Sequence, residues 1–172
     1  MKILRTLLRV ALITMTVGGG FKGVILTVQL LASSDSSAVV QRVLVVMFLA
    51  LYGFVAACGL WFACDRRRVR PLLAALAIQI PWVSTPLVVY KFAAGLYAVV
   101  SVGGPQDAGD LGVRFGAEAL FGSTFRVAWL QEIPWSVGVN VAALVFFVVL
   151  WKFVAASAQP DVGAGLRSAA RV

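Results

Sequence analysis

Histidine is absent from this chain of 172 residues, and cysteine occurs only twice. Without histidine, the sequence excludes bis-histidine haem, histidine-ligated zinc or copper, and a histidine general base. Cys58 and Cys64 lie at positions about 240° apart around a helix, so the two thiols do not share a face. We therefore expect no catalytic residue, no metal site and no cofactor, and we expect that the protein is not an enzyme.

Charged residues are also scarce, at 13% of the chain, whereas hydrophobic residues make up 61% and the mean hydropathy is +0.95. A soluble domain carries about 25% charged and roughly 45–50% apolar residues. The composition therefore predicts an integral membrane protein. The net charge of +8 comes from basic residues in the predicted loops, where they set membrane orientation, so no nucleic-acid partner is expected.

Four apolar windows are long enough to cross a bilayer, which takes about 20 residues. The sequence thus predicts an all-α polytopic membrane protein built as a four-helix bundle. Ten of the 15 Lys and Arg residues lie at the two termini or between the second and third windows. This bias places both termini in the cytoplasm and the protein in a bacterial inner (cytoplasmic) membrane. The four windows are Val10–Leu31, Val43–Cys64, Pro71–Tyr90 and Pro134–Trp151.

A single transmembrane domain is expected over residues 1–156, followed by a flexible cytoplasmic tail at 157–172. Residues 92–133 form an extracytoplasmic insertion between the third and fourth windows. Alternating apolar and polar residues, separated by Gly, Pro and Asp clusters, favour a three-stranded antiparallel meander there. An interfacial helix over 92–102 is the alternative to the first strand. The predicted strands are 94–102, 111–121 and 124–131.

Polar residues inside the apolar windows are costly at membrane depth and mark candidate functional positions. One hypothesis is a polar pocket in the outer half of the bundle, centred on Lys22 and covered by the meander. In the alternative, Lys22 snorkels to the interface and the other polar residues act as packing contacts between helices. The candidate pocket residues are Lys22, Gln29, Tyr52, Ser84, Thr85 and Asn140.

Two further sets of residues point to packing and to lipid. Small residues at helical spacing let helices approach closely. A basic run between the second and third windows predicts contact with anionic lipid headgroups and anchors the topology. The predicted helix-packing residues are Gly19, Gly23, Gly53 and Ala57, and the predicted lipid-contact residues are Arg66, Arg67, Arg68 and Arg70.

The function that these features favour is that of a small non-enzymatic membrane protein, acting as a subunit, an assembly factor or a partner-binding protein. Its expected partners are membrane lipids and either another protein or further copies of the same chain. Strand edges in the insertion are suited to pairing with another chain. The alternative function is lipid or anion binding, or transport, through the pocket around Lys22.

Overall fold

The computed structural model describes residues 2–33, 39–65, 68–104, 113–129 and 134–158. Arg66, Arg67 and the predicted tail from residue 159 onward lie outside these residues. The first helix, α1, continues through one π-helical turn into α2. The helical elements are α1 (Lys2–Ile13), the π-helical turn (Thr14–Gly18), α2 (Gly19–Ser33), α3 (Val39–Cys64), α4 (Val69–Ala77) and α5 (Val141–Ala158).

Six strands occur in the described part of the chain and form one antiparallel sheet. Along the sheet the strand order is β4-β3-β6-β1-β2-β5. The strands are β1 (Pro81–Ser84), β2 (Val88–Ala93), β3 (Leu96–Gly103), β4 (Arg114–Phe121), β5 (Thr124–Trp129) and β6 (Ser136–Asn140).

The prediction of an all-α four-helix bundle is wrong, because two of the four apolar windows are part helix and part strand. In the window 71–90, α4 ends at Ala77 and β1 begins at Pro81. In the window 134–151, β6 ends at Asn140 and α5 follows. Pro81 cannot donate a backbone hydrogen bond to a continuing helix, and the residue before a proline is biased towards extended conformations. The protein is therefore a mixed α/β structure.

Among the described residues, two helices, and not four, are long and apolar enough to cross a membrane. They are Thr6–Ala32 and Arg42–Cys64. The apolar part of α5, Val141–Lys152, is shorter. Only 39% of the first helix's most apolar stretch and 33% of the second's are buried within the chain. Most of their apolar surface is therefore uncovered by the protein itself.

The predicted meander is also wrong in its pairing. Strands lie close to the predicted ranges, and β3 pairs with β4, but β5 pairs with β2 instead of with β4. The reason is a bend that the sequence pattern does not reveal. Ala93 faces Thr124 and Leu96 faces Phe121, so β2–β3 and β5–β4 form one long hairpin in a single register. It bends at Gly95, where Gly122 donates its amide hydrogen to the Gly95 carbonyl.

The sheet is curled because β6 closes it. β6 pairs with β3 on one side and with β1 on the other, and β1 pairs in turn with β2. The two halves of the bent strand are thus linked through β1 and β6. Trp82 on β1 and Tyr97 on β3 stack with ring centroids 5.7 Å apart, although β6 separates their strands. Two strand spacings are about 9.6 Å on a flat sheet, so these rings lie on the concave side.

Glycines bring α2 and α3 into close contact. A β-carbon at Gly23 would overlap the ring of Tyr52, and one at Gly20 would lie 2.8 Å from the backbone nitrogen of Ala56. Gly59 in turn faces Thr16 of the π-helical turn. Of the residues predicted for helix packing, Gly23 therefore packs against α3, whereas Gly53 has open space around it.

The sheet docks on the helix pair at the bend. Gly19 faces the backbone of Ala94 and Gly95, and a β-carbon at Gly95 would lie 2.6 Å from the Met15 carbonyl oxygen. Beside this contact, four aromatic rings join α3 to β2 and β5, with centroid distances from 4.7 to 6.2 Å. These rings belong to Phe48, Tyr52, Phe92 and Phe125.

Candidate functional site

Polar side chains at the junction between helices and strands satisfy backbone groups that regular structure would leave unpaired. Gln79 is buried, donates to the Ala75 carbonyl and accepts the amide hydrogen of Ala94 at 2.8 Å. Tyr52 is fully buried and donates its hydroxyl hydrogen to the Ala93 carbonyl. An unpaired buried backbone group costs about 1–3 kcal/mol. Tyr52 therefore has a structural role at the bend.

Asn140 joins β6 to α5. Its side-chain oxygen accepts the amide hydrogens of Ala98 on β3 and Ala143 in the first turn of α5, at 3.2 and 3.3 Å. The backbone N–H of Asn140 donates to the Ile80 carbonyl at 2.9 Å. Asn140 thus serves as the N-cap of the helix. The Nδ2 atom of its side chain is buried and has no hydrogen-bond partner among the described residues.

The remaining candidate pocket residues lie elsewhere. Lys22 and Gln29 are on the exposed surface of α2, and a β-carbon at Gly122 would lie 3.4 Å from Lys22 Nζ. Ser84 is buried in β1. Thr85 shapes the turn between β1 and β2 by exchanging side-chain hydrogen bonds with the backbone of Val88.

No hydrogen bond joins any two of the six candidate pocket residues within the described ranges. Tyr52 lies at the bend and Asn140 at the start of α5, whereas Lys22 faces outward beside Gly122. A functional pocket around Lys22 stays a prediction.

The two faces of the sheet carry different kinds of side chain. Side chains alternate along a strand, and directly paired residues share a face. The pairing of Lys91 with Arg126 and of Glu118 with Val99 puts all the charged strand residues on the concave face with Trp82 and Tyr97. The charged residues of the described strands are Lys91, Arg114, Glu118 and Arg126.

The opposite, convex face carries apolar side chains. Where β2 and β5 pass α3, this face is covered by the aromatic cluster described above. Beyond the bend it is open, and Phe115 is 81% exposed, Val100 53% and Val137 50%. The open convex residues are Val100, Phe115, Ala117, Ala119, Phe121, Val137 and Val139.

The concave face is closed by polar and aromatic contacts. Lys91 Nζ lies 5.4 Å from the centre of the Trp82 ring, within range of a cation–π interaction. The Tyr97 hydroxyl donates to Glu118 at 2.9 Å. Burial, this hydrogen bond and the negative charge of Glu118 together raise the pKa of Tyr97 above its usual 10.0. Sequence reasoning missed these residues, although their alternation with apolar neighbours was a usable signal.

Strand β4 is the most accessible element of the sheet. All eight of its residues are exposed, and it ends the sheet on one side in the part of the chain that the structure describes. An edge strand presents unpaired amide and carbonyl groups to any extended segment that approaches it. Phe121 is 68% exposed beside this edge.

Basic side chains from both sides of the chain contact the end of α3 and the residue that follows it. Arg9 donates to the Ala63 carbonyl in the last turn of α3 at 2.6 Å. Arg68 pairs with Asp65 at 3.6 Å, and Arg68 and Arg70 are exposed. Contact of these arginines with anionic lipid stays a prediction.

No group of three His, Cys, Asp or Glu side chains that could hold a metal ion occurs in the described segments. Comparison of the chain with protein-family models, curated proteins and solved structures gave no match.

Proposed function

We propose that this chain is a non-enzymatic integral membrane protein that binds a protein partner through the open edge of its sheet. The membrane part of the proposal rests on the two long apolar helices and on how little of them the chain buries. A core helix of a soluble protein would hide most of its apolar surface. These helices instead expose Phe21, Val46 and Phe54 among other large apolar side chains.

In the proposed topology the helix from Thr6 to Ala32 runs outward and Arg42–Cys64 returns. Arg68 and Arg70, just beyond α3, then lie in the cytoplasm with the basic N-terminus, as the positive-inside rule favours. α5 follows the sheet and carries the chain towards Lys152 and the cytoplasm. The protein thus resides in a bacterial inner membrane with both termini inside.

The exposed strand β4 carries the partner-binding proposal. A partner segment that adds a strand here gains main-chain hydrogen bonds along its length, and alternate side chains supply specificity. Long apolar edges are aggregation hazards that folded proteins normally cover. A partner strand on β4 covers this edge, which runs past the exposed Phe115 and Phe121.

The proposal is tested by placing a photo-cross-linking amino acid at Phe115, Ala117 or Ala119 and irradiating native membranes. We expect one protein adduct from all three positions. Partner residues identified by mass spectrometry should shift by two along the partner each time the probe moves by two, because cross-strand neighbours keep register. Leu87, which is 70% exposed in the β1–β2 turn, is the control position and should give no such series.

Protein adducts without a stepped register would show that β4 does not pair as a strand. The absence of any protein adduct at the three β4 positions would overturn the partner-binding proposal.

A further inference from the structure

We infer that the open convex face of the sheet, defined by the seven residues listed above from Val100 to Val139, contacts the acyl chains of the lipid bilayer. The inference rests on the proposed membrane crossing by the two long helices and extends it to the sheet. It identifies the occupant of this face as lipid instead of water or a second protein.

The distribution of charge supports this assignment. An antiparallel sheet with one face in water carries polar side chains on that face. Here the concave side holds all the charged strand residues around a buried cluster of Trp82, Tyr97 and Val99, and the open convex face carries no charged side chain. Lipid-facing strands of membrane barrels show the same alternation, with apolar residues outward and polar residues inward.

The convex face also continues the apolar surface of the helices. The sheet meets the helix pair at the contact of Gly19 with Gly95, near the middle of the Thr6–Ala32 helix. If that helix crosses the bilayer, the docked sheet begins at hydrocarbon depth. Phe92 and Phe125 of the same face pack on α3 at Phe48, so one apolar surface runs from the helices onto the sheet.

Lipid explains the exposed valines better than a protein partner does. Val137 on β6 and Val100 on β3 lie inside the sheet order, away from the edge at which a partner strand would add. A partner strand that adds at β4 in the plane of the sheet covers the edge but leaves the convex face at Val100 and Val137 open. Acyl chains adapt to the whole curved surface without needing a matching shape.

The test uses single nitroxide labels in the full chain, reconstituted in liposomes, with Cys58→Ala and Cys64→Ser as background. Labels at V100C and V137C probe the convex face and a label at E118C probes the concave face. V46C on α3, where Val46 is 53% exposed, is the matched control for lipid contact. Relaxation by molecular oxygen, which concentrates in lipid, is compared with relaxation by a water-soluble nickel chelate.

We expect the oxygen-to-nickel ratio at positions 100 and 137 to resemble that at position 46 and to exceed that at position 118 several-fold. A lipid signal at position 46 together with nickel access at position 137 would show that the convex face lies in water. That result would overturn the inference about the sheet but leave the proposed membrane crossing intact. Access to neither reagent at 137 would mean that protein covers the face, with the same consequence. Nickel access at position 46 would show that α3 does not cross the bilayer and would overturn the proposed membrane crossing.

Discussion

At the scale of single residues, the fold depends on a few positions where backbone meets backbone. Gly95 has a φ of 98° and faces the Met15 carbonyl. Gly95→Ala forces a β-carbon into both constraints and should lower the free energy of unfolding by about 2–4 kcal/mol. Gly18→Ala is the control, since nothing lies within 4 Å of its β-carbon position, and helix propensity predicts a gain of up to about 1 kcal/mol.

Denaturant unfolding of both variants in detergent micelles checks this pair. Equal stability of the two variants would show that Gly95 does not make the close backbone contact with Met15 that excludes a β-carbon.

Asn140 gives the second prediction at this scale. Asn140→Ala removes the acceptor for the Ala98 and Ala143 amides and should destabilise the protein by about 2–3 kcal/mol. Serine at position 140 (Asn140→Ser) restores an N-cap acceptor, but its side chain is shorter than that of asparagine. The stability of this variant should therefore lie between those of the wild type and the alanine variant. Thermal unfolding ranks the three proteins, and an alanine variant as stable as the wild type would contradict the capping role.

Much of this residue-level detail follows from the sequence only in part. The positions of Tyr52 and Asn140 inside apolar windows predicted that these polar side chains have specific partners. The partners turned out to be backbone groups of the sheet, such as the Ala93 carbonyl, instead of a pocket. The spacing of residues on a helix does not predict contacts with strands that lie far away along the chain.

At the scale of elements, hydropathy identified where apolar segments lie but not which structure they form. The windows 71–90 and 134–151 contain valine-rich stretches that suit a buried strand as well as a helix. Pro81, Pro86 and Asn140 were the signals of a break, and they lie at the start of β1, in the following turn and at the end of β6. The bend at Gly95 left no signal apart from the glycine itself.

The pairing of β3 with β4 makes stability depend on pH through Tyr97. Because its pKa is raised, the stabilisation from this group is fully present below pH 10.0 and is lost as the pH rises through the raised pKa. Glu118→Gln removes the negative charge opposite the hydroxyl, so the titration of Tyr97 should move to lower pH. Tyrosinate absorbance, with Tyr97→Phe to identify the signal, measures the shift. An unchanged titration in the glutamine variant would show that Glu118 does not contribute to the raised pKa of Tyr97.

At the scale of the whole molecule, the proposed membrane topology predicts the side of the membrane on which Cys64 lies. Cys64 is exposed at the end of α3 and Cys58 is buried. Because the proposed topology places the end of α3 in the cytoplasm, a membrane-impermeant maleimide should label the protein in inside-out vesicles but not in right-side-out vesicles. Cys64→Ser should abolish the labelling, and Cys58 should react only after denaturation. Labelling in right-side-out vesicles alone would reverse the proposed orientation.

The place of β6 between β1 and β3 has a consequence for the order of synthesis. β1 leaves the ribosome early, but the strand that covers its second edge is separated from it by the whole of β2 to β5. At about 5–20 residues per second, that separation corresponds to roughly 3–10 seconds of translation. During this interval the nascent chain has a hairpin with an open edge and an open concave face. The helix pair is complete by then, so a chaperone or the insertion machinery has to shield only the sheet.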